Sequence, residues 1–179
     1  MSKEIIKRDS TLRHQYIKGM LGKNTMNKKQ QKEHYEQYNI DINKCAYCGE
    51  NANTLDHIFG LVNDKVFSGY TNDISNLIPS CSSCNSSKGN KDWDRWIEST
   101  TIPRAIYVRN NSGFEERILK IKKYIQKNKT KDKKISYDLL EKINKNALYF
   151  DKQMTIKLEE LDEIFTKHQN FYKKMLDSK

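Results

Sequence analysis

No stretch of this chain approaches the ~18 consecutive apolar residues that a membrane-spanning helix needs. Its first residues, Met-Ser-Lys-Glu-Ile-Ile-Lys-Arg, lack the apolar block of a secretory signal. A membrane partner is therefore not expected, and the reducing cytoplasm is the expected compartment. Hydrophobic residues make up only 36% of the 179, below the ~45–50% usual for a globular domain. A core that thin gains from a staple, and a bound metal is one. Cysteine is scarce as well: there are four, all in Cys-x-x-Cys pairs, a pattern that in a reducing compartment means metal sooner than disulfide. Internal repeats are lacking. Aromatic residues are not, and ten Tyr with two Trp argue against wholesale disorder.

Positive charge is plentiful, with a formal net charge of +10, but it is unevenly spread. Residues 1–44 carry ten Lys/Arg against five Asp/Glu, residues 45–100 four against seven, and residues 101–179 nineteen against eleven. Carboxylates that hold a cation, between basic flanks that hold phosphates, give this split. A merely solvated lysine-rich surface is the plainer reading of the flanks.

The chain divides accordingly. Residues 1–44 form a basic helical N-terminal segment, with Ile5, Ile6, Leu12, Tyr16, Ile17, Met20 and Leu21 in a helical stripe, a break at Gly22 and a second, polar helix over 27–38. Residues 45–100 are a central module. Its expected parts are a short strand at 54–59, a turn-rich loop at 60–73, a second strand ending at Pro79, and a helix from Asn85 to Glu98 with Trp93 and Trp96 in the core. Residues 101–179 are a basic helical C-terminal region for DNA binding, dimerisation or both. They comprise an extended segment or linker at 101–110 and helices at 114–126, 136–150 and 156–176. The last carries Leu158, Leu161, Ile164, Phe165, His168, Phe171, Tyr172 and Met175, spaced to pack on the body or to form a short dimer seam. The expected fold class is α+β: a small zinc-stapled finger flanked by N- and C-terminal α-helices. His14, His34 and His168 have no partners in sequence and are expected at the surface or in packing.

The cysteines point to one structural Zn²⁺ per chain. Cys45 and Cys48 form one knuckle, Cys81 and Cys84 another, and Zn²⁺ takes four thiolates in a tetrahedron at about 2.3 Å. A two-residue spacer lets one tight turn present two sulfurs, and Gly49 lets the backbone double back. A redox pair would not need a second copy. The ion would clamp the two ends of the module together, so folding would depend on it.

Interleaved with the knuckles are Leu55-Asp56-His57-Ile58, Ser75-Asn76-Leu77-Ile78-Pro79 and Asn85-Ser-Ser-Lys88. In this order these elements resemble the HNH endonuclease family, whose core is the ββα-metal finger. The resemblance spans about residues 45–92, under a third of the chain. It implies phosphodiester hydrolysis with His57 as general base. Asp56 and Asn85 would be oxygen ligands for Mg²⁺ or Mn²⁺, and Asn76 would orient the His57 ring through a hydrogen bond. Strand alternation would send Asp56 and His57 to opposite faces. Lys88 and Arg95 are candidate phosphate contacts. The family's paired glycines after Asp-His are here separated, as Gly60 and Gly69. Asn85 stands where His is frequent, and this favours Mg²⁺ or Mn²⁺ over a transition metal.

The reading is a metal-dependent endonuclease of double-stranded DNA, of the restriction or defence type. One finger cuts one strand, so a double-strand break requires a homodimer or two visits. The alternatives are a non-catalytic zinc-ribbon nucleic-acid-binding protein, which would not need Asp56, His57 and Asn76 together, and a homing, phage or toxin-type HNH nuclease.

Overall fold

The computed structural model describes residues 16–22, 24–63 and 66–177, with the side chains at 151, 158, 162, 165 and 172–177 outside the description. His14 and the first part of the N-terminal stripe (Ile5, Ile6 and Leu12) lie outside the described residues. The architecture is α+β, as expected. Residues 16–21 are helical, and α1 (Lys28–Glu36) follows. Asn27 caps α1 in a reciprocal box with Gln30, each side chain accepting from the other's backbone N–H.

The centre is an antiparallel pair, β1 (Thr54–His57) and β4 (Leu77–Ser80), registered Thr54 to Ser80 and His57 to Leu77. A minor hairpin, β2 (Val62–Asn63) with β3 (Val66–Phe67), interrupts the intervening loop. The helix α2 (Ser82–Lys88) leaves β4 through the second knuckle, completing a β-β-α unit. The single helix expected over 85–98 is two. Gly89, at φ +55°, ends α2, and α3 (Trp93–Ile97) starts after a turn. Trp93 and Trp96 are buried, and Trp96 meets Tyr47 edge-on at 5.1 Å.

Residues 101–110 are not a linker. They hold α4 (Pro103–Arg109), with Pro103 in its first turn, where a missing N–H costs nothing. The next helix, α5 (Phe114–Asn128), buries Ile118, Ile121, Tyr124 and Ile125. His34 packs edge-on against Tyr124, with its Nε2 3.0 Å from the tyrosine hydroxyl. The two expected C-terminal helices are one, α6 (Tyr137–Asp177). No Gly or Pro separates them, so nothing stops the helix between 150 and 156. Among the described side chains it reaches the core through Ile143 and Ala147, while Leu148, Leu161, Ile164 and Phe171 are exposed, as is His168. Leu161 and Ile164, expected to pack on the body, are more than half exposed. Leu158, Phe165, Tyr172 and Met175 lie outside the described side chains. Among the described residues no helix is long and apolar enough to cross a membrane.

The chain leaves β1 through a tight crossing. A Cβ on Gly60 would lie 2.0 Å from the Asn90 carbonyl oxygen. Backbone cannot yield as a side chain does. Gly60 N–H donates to Asp92 Oδ1 at 3.1 Å, and Trp93 N–H donates to Ile58 O at 2.9 Å. Glycine is required here by space, not by conformation. Gly60→Ala is expected to cost about 3 kcal/mol or more, read as a fall in the denaturant midpoint at unchanged slope.

Candidate active site and metal centre

The knuckles converge. The four Sγ atoms, all buried, lie within 4.8 Å of one another, and Cys48 Sγ is 3.7 Å from Cys81 Sγ. A tetrahedron with bonds of about 2.3 Å has edges of about 3.8 Å, so the set fits a zinc ion. Thiols this crowded cannot all ionise without a cation. Once Cys45 holds a negative charge, its sulfur contacts hold the protons on Cys48 and Cys84 and push those thiols well up. Gly49 turns the first knuckle at φ +80°, with its N–H on Cys45 O at 2.8 Å.

Two arginines from outside the module complete the centre. Arg104, on α4, donates from Nε to Cys84 Sγ at 3.3 Å and from Nη2 to Cys48 Sγ at 3.3 Å and Cys81 Sγ at 3.5 Å, and it pairs with Glu50 at 2.7 Å. Zinc with four thiolates carries two net negative charges, and a guanidinium on three of the sulfurs offsets part of that. Arg117, on α5, donates to Tyr47 O at 2.8 Å. Spacing pointed to neither arginine, because Arg104 lies 20 residues beyond Cys84 and 56 beyond Cys48, and Arg117 lies 70 beyond Tyr47.

Asp56 and His57 point apart. The Asp56 carboxylate, 3% exposed, faces inward. Tyr47, the third residue of the first knuckle, donates its hydroxyl to Asp56 Oδ2 at 2.8 Å, and Lys88 Nζ lies 3.4 Å from Oδ1. Burial pushes the Asp56 carboxyl up to about 6, against the pull of Lys88 and Tyr47. Burial, then the Asp56 charge, drives the Tyr47 phenol well above its ordinary value. Lys88 is 0% exposed. Besides Asp56 it donates to Lys91 O at 2.8 Å and Gly89 O at 3.3 Å, and burial lowers its ammonium despite the carboxylate. Expected as a phosphate contact, Lys88 is instead an interior cation. Arg95 is exposed on α3.

His57 faces the other way, 8% exposed, with Nε2 2.8 Å from Asn72 Oδ1. Asn72 Nδ2 donates to Gly22 O at 2.6 Å. A carbonyl only accepts, so this bond fixes the Asn72 amide with Oδ1 towards the ring. The ring must then donate from Nε2, and Nδ1 is the basic nitrogen. Asn76, expected at the ring, spends its amide on backbone. Oδ1 accepts from Phe59 N–H at 3.0 Å, and Nδ2 donates to Phe59 O and Thr71 O, both at 3.1 Å. It pins the chain two residues beyond His57, while Asn72 holds the ring. The cue for Asn72 was its place in the Asn-Asp cluster ahead of β4, which reads as a turn.

Asn85 lies on α2 one turn before Lys88 and is half-buried. Its Nδ2 donates to Thr54 Oγ1 at 3.1 Å and Leu55 O at 3.4 Å, leaving Oδ1 as the atom that would ligate a cation. The helix thus carries both Asn85 and Lys88 to the β1 strand that bears Asp56. The Asp56 carboxylate sits where positive charge is held, and the ammonium of Lys88 is the charge beside it.

Residues 45–91 match the HNH endonuclease family. Over 94 residues the chain is 34% identical to an SPbeta prophage-derived protein of Bacillus subtilis (strain 168), YoqL, which is named as an HNH endonuclease. That match covers 48% of this chain and 36% of YoqL, so the shared part spans little more than a third of the relative's length. No solved structure matches the chain significantly. Residues 45–91, the segment that holds both knuckles, Asp56 and His57, are thus similar to the HNH endonuclease family.

Proposed function

We propose that the protein is a metal-dependent endonuclease of double-stranded DNA. The observation that carries this reading is His57, held by Asn72 with Nδ1 as its basic nitrogen, on the strand residue next to the buried carboxylate of Asp56. His57 takes a proton from the attacking water as the water oxygen bonds to phosphorus and the P–O3′ bond breaks. A Mg²⁺ or Mn²⁺ ion, held by Asp56 and Asn85, would supply charge stabilisation at the phosphate and the leaving oxygen. Asn72 keeps the imidazole in one tautomer, and Asn76 keeps the backbone after it in place. The four cysteines hold one zinc ion that ties the turn ahead of β1 to the junction of β4 and α2.

The capture surface we assign is the groove of about 530 Å³ between α1 and the start of β1, where Lys28, Lys29 and Lys32 face Asn43, Asn53 and Thr54. Thr54 is bonded to Asn85, so the groove runs up to the metal-ligand side of the helix. Among the described residues Lys29 and Lys32 have loose intrahelical partners, Glu33 at 4.0 Å and Glu36 at 3.6 Å, and such exposed pairs hold a lysine weakly. Replacing Lys28, Lys29 and Lys32 together by Ala is expected to weaken duplex binding and to flatten the plot of log affinity against log salt by about 2–3. An unchanged slope would remove this groove from the interface.

The role that suits a free-standing nuclease with its own basic helices is restriction or defence. A second reading, favoured by the prophage origin of YoqL, is a phage-type nuclease. Incubating the purified protein and Mg²⁺ with phage DNA, and with an RNA duplex of one of its segments, tests substrate and role together. Discrete DNA fragments support restriction, and a smear or isolated nicks support the second reading. Cleavage of the RNA alone would overturn the assignment of DNA.

A further inference from the structure

The buried triad of Tyr47, Asp56 and Lys88 is more than a structural ion pair. We infer that Lys88 is a built-in competitor for the catalytic divalent cation: its ammonium balances Asp56 in the metal-free protein and must yield Oδ1 when the metal binds. This inference rests on the reading of Asp56 as a metal ligand.

Three observations carry it. First, the carboxylate already has a cation. Lys88 Nζ stands 3.4 Å from Oδ1, and both side chains are closed to solvent, at 0% and 3% exposure. Mg²⁺ keeps several of its waters when it binds a protein carboxylate, so it cannot enter beside an ammonium in a closed space. One positive charge must give way to the other.

Second, the two carboxylate oxygens are held differently. Oδ2 takes the Tyr47 hydroxyl at 2.8 Å. Tyr47 lies inside the first knuckle, and its own carbonyl is held by Arg117. That oxygen is anchored to the metal scaffold and keeps the carboxylate plane while the partner of Oδ1 changes. Tyr47 is therefore a positioning residue, acting on the metal through Asp56.

Third, Lys88 can release Oδ1 without being left unsatisfied. Its ammonium also donates to Lys91 O at 2.8 Å and Gly89 O at 3.3 Å, carbonyls at the end of α2. An isolated buried ammonium would be very costly, whereas one hydrogen-bonded to two carbonyls at a helix C-terminus is stabilised there. The exchange moves a charge contact over a short distance and unfolds nothing.

The test measures divalent affinity without DNA and without turnover. Zinc-loaded protein at pH 8 is titrated with Mn²⁺, and the free ion is counted by its electron paramagnetic resonance signal. Lys88→Gln removes the charge but keeps an N–H donor for the Lys91 carbonyl, and Asp56→Asn serves as the control. The expected result is Mn²⁺ binding about fivefold or more tighter in Lys88→Gln and lost in Asp56→Asn. Unchanged or weaker binding in Lys88→Gln, with the site lost in Asp56→Asn, overturns the inference and leaves the ligand assignment standing. Equal binding by Asp56→Asn and the unmutated protein overturns the ligand assignment, and the inference with it. Should Lys88→Gln fail to fold, judged by zinc content and circular dichroism, the unmutated protein is read by lysine-selective ¹³C resonance. The signal shielded from a soluble paramagnetic agent is expected to shift as Mg²⁺ is added. A shielded signal that ignores Mg²⁺ overturns the competition.

Discussion

Cys84→Ala is expected to leave the protein without zinc and without a cooperative unfolding transition. Cys84 is 0% exposed, lies in the first turn of the helix that carries Asn85 and Lys88, and faces Cys45, Cys48 and Cys81 in one cluster. A bound structural zinc contributes about 10–16 kcal/mol of apparent free energy in small domains, which exceeds the ~5–15 kcal/mol by which whole domains are stable. The sheet beside the cluster is small, since β1 and β4 have four residues each and pair with one another. Removing one ligand also leaves Arg104 above a broken thiolate set. Zinc content by atomic absorption and thermal unfolding by circular dichroism check this. Chelation of the unmutated protein should reproduce the mutant, and restoring zinc should reverse it. A soluble, zinc-free mutant with an intact transition would refute the scaffold role.

The second large effect falls on chemistry and spares the fold. His57→Ala should reduce Mg²⁺-dependent cleavage of plasmid DNA by roughly 10²–10⁴-fold, the range for loss of a general base, while duplex binding stays within about twofold. The ring bonds Asn72 and none of the zinc-binding cysteines or Trp96, so removing it is expected to leave the zinc cluster and the aromatic core around Trp96 intact. Asn72→Ala should fall between the unmutated enzyme and His57→Ala, because the base is present but its tautomer is no longer imposed. Equal activity in His57→Ala would end its assignment as base.

The pattern of the four cysteines and Asp56-His57 was legible from residue types and order alone. Zinc geometry demands a two-residue spacer, and strand alternation forces neighbouring side chains apart, so both arrangements could be read before any contact was known. The core roles of Trp93 and Trp96 followed from their spacing in the same way. What escaped were partners brought together across long stretches of chain. Arg104 reaches three sulfurs from α4, a helix that Pro103 starts within a segment expected to be extended or a linker. Asn72 and Asn76 are four residues apart in a polar turn, and no local rule says which reaches the ring and which staples the backbone. Lys88 sits on a short polar helix after Ser-Ser, where a solvated side chain was the natural expectation. Its burial follows from the Asp56 charge across the sheet-to-helix gap. The unbroken α6 shows the opposite failure, a boundary drawn at 150–156 where no residue ends a helix.

In the proposed mechanism a zinc scaffold and a cutting site that needs a second metal divide the labour. Supercoiled plasmid incubated with protein carrying one zinc per chain, with Mg²⁺ or with magnesium-free buffer, measures that division directly. The predicted result is conversion to open-circular or linear DNA only where Mg²⁺ is present, with zinc content unchanged throughout. Plasmid left supercoiled with both Mg²⁺ and Mn²⁺ present, or cut equally well in magnesium-free buffer, would contradict it.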